Sequence, residues 1–291
     1  MSTYAYVAPT SIDEVLSVLA NAAGNGERTQ LLAGGTDVIV QMRSFDNEPR
    51  LLVDVKHLAE TNEVNIGDEE IFIGAAIPSG VLNESDELKS LLPGLLESAD
   101  LIGSTQIQGR ASIGGNLCNS SPAGDTIPAL IANSAVCVIA TRSGNREVPV
   151  EDFLTGVGTN CMSAEEFLVG MKIRRPPPRT GDAYLRFIPR TEMDIAVAGA
   201  GVSVTFDGDG VCTRARVSIG AVAPTALLVP EAAQALVGTK VDDGDLRAAE
   251  AACSEAASPI TDKRGTVEYR RHVVGVLCRR AGAIAKERAL S

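Results

Sequence analysis

The sequence predicts a chain of mixed helices and strands built as two domains. Three observations carry this prediction. Helical and strand-like apolar patterns are interspersed through residues 11–173. The run Arg174-Arg175-Pro176-Pro177-Pro178-Arg179 then removes three backbone donors and stiffens the chain, which suits a linker. Beyond it, strand patterns come first and helical ones last. A length of 291 residues with 45% hydrophobic composition is enough for one large domain or for two, and the proline run favours two.

Residues 11–23 read as an amphipathic helix, with Ser11 and Glu14 at capping-box spacing and Ile12, Val15, Leu16 and Leu19 on one face. Gly24 ends it. Gln30 to Ala33 reads as a buried strand that runs into Gly34-Gly35-Thr36, and a helical pattern restarts from Asp37 to about Arg43. Leu51 to Val55 is a second strand. Val64 to Ile66 and Ile71 to Gly74 flank Gly67-Asp68-Glu69-Glu70 as a hairpin. Residues 94–102 are helical, and Gly103 to Ser121 reads as a long functional loop. Asp125 to Ser134 reads as helix and Ala135 to Ala140 as strand. A turn at Arg142-Ser143-Gly144-Asn145 leads to Glu147 to Val150, and Leu168 to Ile173 is another strand.

After the prolines, strands are expected at Ala183–Ile188, Ala196–Phe206 and Val211–Ala221, with the turn Asp207-Gly208-Asp209-Gly210 between the last two. The chain from about Glu231 is helical. Its last helix, Val267 to Ala289, places Val273, Val276, Leu277 and Ile284 on one side.

A net charge of −11 argues against nucleic acid and against anionic membranes, both of which select basic surfaces. No apolar run approaches the ~20 residues of a membrane helix. The start, Met1 to Pro9, does not read as a signal peptide, so a cytoplasmic location is expected. The six cysteines (Cys118, Cys137, Cys161, Cys212, Cys253, Cys278) contain no CxxC pair, so they read as buried or idle thiols. The sequence lacks a GxxxxGK[ST] phosphate loop, a strand-linked GxGxxG and a GxSxG. Its two histidines, His57 and His272, are too isolated for a histidine metal site, a hydrolytic triad or a histidyl-flavin bond.

Two glycine-rich segments remain. In Leu31-Leu32-Ala33-Gly34-Gly35-Thr36-Asp37-Val38, a strand meets a Gly-Gly turn where a helix begins. Such a turn lets the backbone approach an anion, and the helix start supplies free N–H groups. The competing reading is an ordinary turn capped by Thr36 or Asp37. In the second segment, Gly109-Arg110-Ala111-Ser112-Ile113-Gly114-Gly115-Asn116, followed by Ser120-Ser121-Pro122, successive glycine amides suit an anion-binding nest, and Ser112 and Asn116 add donors. Asp125, nine residues past Asn116, suits a ribose or ribityl hydroxyl. The competing reading is a polar surface loop with Asp125 as a helix cap. Two such segments together suit a pyrophosphate, which needs donors from more than one side.

The pairing of LLAGGTDVIVQMR (Leu31 to Arg43) with ASIGGN–x8–D (Ala111 to Asp125) resembles the FAD-binding medium subunit of molybdenum hydroxylases, the family of xanthine dehydrogenase and aerobic carbon monoxide dehydrogenase flavoproteins. Tyr4-Ala5-Tyr6 to Pro9, the Glu165-Glu166 to Ile173 strand entry and the Arg190 to Ala196 segment carry the same resemblance, which covers the whole chain. It implies an α+β fold. A two-subdomain FAD-binding domain of the vanillyl-alcohol-oxidase-like type would span 1–177, and a C-terminal domain of antiparallel sheet and helices 178–291.

It also implies a site. Leu31, Leu32, Ala33, Gly34, Gly35, Thr36, Asp37 and Val38, with Ser112, Ile113, Gly114, Gly115 and Asn116, would grip the FAD pyrophosphate, and Asp125 the sugar portion. Ile102 and Met162 would be apolar contacts, Ile195 would lie beside the isoalloxazine, and Arg190 would be a nearby cation. Ser112 stands where threonine is frequent in the family, which keeps the hydroxyl. Ile195 is not aromatic, so stacking by a tyrosine ring does not carry over.

The implied FAD is non-covalent. The implied partners are a large molybdopterin subunit and a small subunit with two [2Fe–2S] clusters, assembled as a dimer of heterotrimers. Electrons would pass from the clusters to FAD and on to NAD, a quinone, oxygen or a cytochrome, with no catalytic acid, base or nucleophile in this chain. The competing function is a self-sufficient FAD-dependent oxidase or reductase, which would need its own substrate pocket and proton donors. A non-catalytic FAD-binding or assembly module is the third reading.

Overall fold

The computed structural model describes residues 4–44, 50–190 and 192–291. Met1 to Thr3 and Thr191, which fall in stretches read above, lie outside the described residues. Three layers of sheet organise the chain. The first is a small parallel sheet in which Ala5–Val7 and Thr29–Leu32 flank Leu51–Asp54. Helix Ile12–Gly24 covers it, with Ser11 Oγ accepting the Glu14 N–H at its start. Val15, Leu16 and Leu19 of that helix are buried against Leu51 and Val53.

The second layer is a five-stranded antiparallel sheet in the order Val64–Ile66, Glu70–Gly74, Phe167–Arg174, Val136–Thr141, Gly144–Pro149. Its central strand Phe167–Arg174 is buried on both faces. Phe167 and Val169 join the core of the parallel sheet, whereas Leu168, Met171 and Ile173 join a core under the helices. A register shift between Leu168 and Gly170 explains this, because a bulge returns Met171 and Ile173 to the Leu168 side. The Gly67–Glu70 hairpin turn is present as expected, closed by Gly67 N–H to Glu70 O at 2.9 Å.

The third layer is an antiparallel sheet of Thr180–Phe187, Ala198–Phe206, Cys212–Gly220 and Leu227–Leu228, packed on helices Asp243–Ala256 and Val267–Leu290. The last helix buries a different stripe from the one expected. Val274, Leu277, Cys278, Ala281, Ala285 and Ala289 face the core, Val273 and Ile284 are partly buried beside them, and Val276 stays outside the cluster. Small residues bring the helix backbone onto the sheet, and a side chain on Gly181 would overlap the Ala285 carbonyl. Among the described residues, no helix is long and apolar enough to cross a membrane.

Three further expectations need correction. Thr29–Leu32 is half-buried rather than buried, and Thr29, Gln30 and Leu31 line a cavity. The expected loop Gly103 to Ser121 holds two short helices, Thr105–Gln108 and Ile113–Cys118. The Gly114-Gly115 amides therefore belong to a first helical turn rather than to an irregular nest. The glycines masked this helix by their low propensity; Gly114 is required because its Cα lies against Ala75, where a Cβ would come within 2.6 Å.

Candidate functional site

The parallel sheet ends where the second layer begins, and a cavity of about 590 Å³ opens between them. It has the size of a small-molecule site, and it lies at the carboxyl end of a parallel strand, where ligands collect in open sheets. One wall is the turn after Thr29–Leu32. Gly35 sits there at φ +77°, and helix Val38–Ser44 begins just beyond it. The opposite wall is the start of helix Ile113–Cys118, where Ser112 Oγ accepts the Gly115 N–H at 3.0 Å. The two walls touch at Gly34, whose Cα lies against the Arg110 carbonyl, and at a 3.1 Å hydrogen bond from Gln41 Nε2 to Asn119 Oδ1.

Two helix starts thus converge on one space. The first turn of each leaves amide donors without intrahelical acceptors and carries the positive end of the helix dipole. Among the described residues, no Lys or Arg lines the cavity. The donors it offers an anion are therefore backbone N–H groups and neutral side chains, which suits a pyrophosphate gripped by neutral donors. The lining glycines Gly115 and Gly158 leave room. A Cβ on Gly115 would meet only Ser112 Oγ, and one on Gly158 would meet nothing within 4 Å. Ile102, Met162 and Leu168 supply apolar surface for the remainder of an extended cofactor. These features fit FAD.

The third wall is the segment before Phe167–Arg174, held in place by Arg146. The guanidinium grips Glu166 with two bonds of 2.9 Å and the Cys161 carbonyl at 3.1 Å. The Arg146 hydrogen bond holds the Glu166 carboxyl below its ordinary pKa. Asp37, on the glycine-turn wall, has no such partner among the described residues, and desolvation raises its pKa. Cys118 also lines the cavity. Burial, with Cys161 adding to it, pushes its thiol up to about 12, so it stays neutral and unreactive.

Of the expected site residues, Leu31, Ala33, Gly34, Gly35, Thr36, Asp37, Val38, Ile102, Ser112, Gly114, Gly115, Asn116 and Met162 line this one cavity. Leu32 and Ile113 do not; Ile113 is fully buried in the core beneath the helix start. Asp125 does not reach the cavity either, and its side chain does not cap helix Thr126–Ala132. It instead takes bonds from Tyr184 and Arg186. Arg190 is not in the lining; its side chain is 71% exposed and paired with Asp194. Ile195 is 52% exposed beside Met193 at 59%. That segment reaches the cavity's edge through Met193 N–H to Gly103 O at 3.4 Å, next to Ile102. Sequence reasoning missed Gln41, Asn119, Asn160 and Gly158, isolated residues without a periodic pattern that meet only in the fold.

A second cleft, about 710 Å³, lies under the proline linker, with Arg175, Arg214 and Arg216 opposite Asp68, Glu69 and Glu70. Three of its four lining arginines are engaged by protein groups, Arg216 by Ile131 O and Glu151, Arg214 by Ser134, and Arg175 by Gly67 O, and the fourth is the exposed Arg174. Those three tie protein surfaces together.

Comparison with known proteins agrees with this geometry. Residues 2–176 match the family described as the FAD binding domain in molybdopterin dehydrogenase, and residues 183–284 match the CO dehydrogenase flavoprotein C-terminal domain. The chain is 33% identical to the carbon monoxide dehydrogenase medium chain of Afipia carboxidovorans, covering 99% of this chain and 98% of that one. It is 28% identical to the xanthine dehydrogenase FAD-binding subunit of Escherichia coli O157:H7, covering 89% of each. Among solved structures, reconstituted CO dehydrogenase from Oligotropha carboxidovorans superposes with a TM-score of 0.92 at 32% identity over 98% of each chain.

Proposed function

The chain belongs to the FAD-binding subunits of the molybdopterin dehydrogenase family, and on that basis we propose that it relays electrons from the iron–sulfur clusters of a partner subunit to an external acceptor. It is a flavoprotein component of an oxidoreductase, and FAD is its cofactor. The observation that carries the reading is the pair of helix starts facing one cavity that has no lysine or arginine in its described lining. Such a site holds a diphosphate through backbone donors and leaves the reactive ring to a different, apolar wall.

Bound FAD supplies the redox chemistry. The chain's own residues bind and orient it. The turn from Gly34 to Val38 and the first turn from Ser112 to Gly115 are assigned the pyrophosphate, with the Asn116 amide beside them. Ile102 and Met162 are assigned the apolar portion. Asp125 acts from behind the wall rather than in the lining, and Ile195 with Arg190 belongs to the rim. The reading includes an FAD-binding domain over 1–177, a C-terminal domain over 178–291, partner subunits carrying molybdopterin and [2Fe–2S] clusters in a dimer of heterotrimers, and residence in the cytoplasm, where the chain's six free thiols would stay reduced.

Neither His57 nor His272 lines the cavity, which supports a non-covalent cofactor. Acid denaturation of the purified chain should release all of the flavin, as FAD. The chain reduced with dithionite and freed of excess reductant should then pass its electrons to an acceptor dye. Flavin that stays on the denatured chain, or reduced chain that cannot reduce the dye, contradicts the reading.

A further inference from the structure

Asn116 lies in the cavity wall, and its amide is held from behind. Its Oδ1 accepts a 2.8 Å hydrogen bond from the Thr126 hydroxyl and a 3.4 Å one from the Thr126 backbone N–H. A backbone N–H only donates, so it decides which end of the amide faces Thr126. The Nδ2 donor is thereby left for the cavity. Thr126 itself is 0% exposed and cannot touch a ligand there.

Asp125, the preceding residue, anchors the same turn. Its Oδ1 accepts from the Tyr184 hydroxyl at 2.9 Å and its Oδ2 from Arg186 Nη1 at 2.6 Å. Both partners come from Thr180–Phe187, the first strand of the C-terminal sheet. All three side chains are buried: Tyr184 is 3% exposed, and the Arg186 and Asp125 side chains are 6% and 10% exposed. Arg186 Nε is buried with no hydrogen-bond partner among the described residues. Desolvation raises the Asp125 pKa, opposed by Arg186 and Tyr184.

This is a poor arrangement if its only task is to join two domains. A buried ion pair loses hydration that its attraction only partly restores, and well-packed apolar residues would do as well. The orphaned donor adds its own desolvation penalty. What the polar set provides is direction, because it fixes one rotamer of Asp125 and the first turn of helix Thr126–Ala132.

We propose that Tyr184 and Arg186 of the C-terminal sheet are positioning residues for the cofactor cavity: they pin Asp125, so that Thr126 holds the Asn116 amide with its donor toward bound FAD. The inference rests on the FAD reading above. No residue of the C-terminal sheet lines the cavity, yet that sheet enters cofactor affinity through this chain of bonds.

The test uses the full-length chain, stripped of flavin and titrated with FAD, with flavin fluorescence and visible circular dichroism as readouts. Thr126→Val keeps the shape and removes the hydroxyl; Tyr184→Phe removes one bond to Asp125. Each should weaken FAD binding about three- to tenfold, the effect of one hydrogen bond, and alter the dichroism of the bound flavin. Thr126→Ser should restore both readouts. In an Asn116→Ala background, Thr126→Val should add nothing, because the amide that it orients is gone. Should Tyr184→Phe fail to fold, Arg186→Lys is titrated instead, with the same expectation. A merely structural role would lower the thermal midpoint and leave affinity and dichroism alone, the pattern expected of the core change Val217→Ala. Wild-type chain that takes up no FAD would sink the FAD reading itself. FAD uptake by wild type, matched in affinity and dichroism by Thr126→Val and by whichever strand variant folds, would overturn the positioning role alone.

Discussion

Gly34 and Arg110 stand back to back: the Arg110 carbonyl occupies the space that any side chain on Gly34 would need. The two glycine-rich segments, 76 positions apart at these residues (110 − 34), are thus in direct backbone contact beside the cavity that they share. Gly34→Ala should force the walls apart and cost about 1–3 kcal/mol, as overpacking does. Thermal unfolding with and without FAD measures it. A variant as stable as wild type would mean that the two walls do not meet as described.

Gly115 should behave differently. Its Cβ would touch only Ser112 Oγ at 3.0 Å, and its place in a helical turn tolerates a side chain. Gly115→Val should therefore fold, while the side chain projects at the assigned phosphate position and removes most bound FAD. Circular dichroism and flavin content of the purified variant check both halves. Retention of FAD at wild-type affinity places the pyrophosphate elsewhere.

Asp182 predicts a pH dependence. It is fully buried at the junction of the two domains, accepting the Gly94 and Leu95 N–H groups and the Asn133 amide. Desolvation lifts its pKa from 3.8 to about 6. The folded chain therefore holds this proton more tightly than the unfolded chain. Its stabilising contribution is complete below about pH 4 and is lost as pH rises through 6, a change of about 3 kcal/mol. Asp182→Asn should lose this slope, so the wild type minus variant difference in urea midpoint should shift between pH 4 and 6. A constant difference across that range refutes the assignment.

Ile195 and Met193 form an exposed apolar pair at the rim, 52% and 59% exposed. Apolar side chains at the centre of a stable interface are desolvated on docking. Ile195→Glu should weaken assembly with the proposed cluster-bearing subunit about tenfold or more and slow flavin reduction within that complex, while the isolated chain keeps its thermal midpoint. Co-purification and stopped-flow reduction are the measurements. Unchanged association together with unchanged reduction moves the docking surface elsewhere.

The amino-acid sequence by itself showed most of the strands and the longer helices, and it marked the proline run and the two glycine segments. These depend on local causes: period-2 and period-3.6 apolar patterns, donors removed by Pro176 to Pro178, and glycines that leave the backbone open. The family resemblance on LLAGGTDVIVQMR and ASIGGN then named the cofactor. Tertiary structure decided what spacing cannot encode. It turned Gly114 and Gly115 into a helical turn because Gly114 must lie on Ala75. It joined Gln41 to Asn119 across the cavity. It withdrew Asp125 from the lining, because a buried carboxylate takes the strongest donors within reach, and Tyr184 and Arg186 arrive only when the second domain folds against the first.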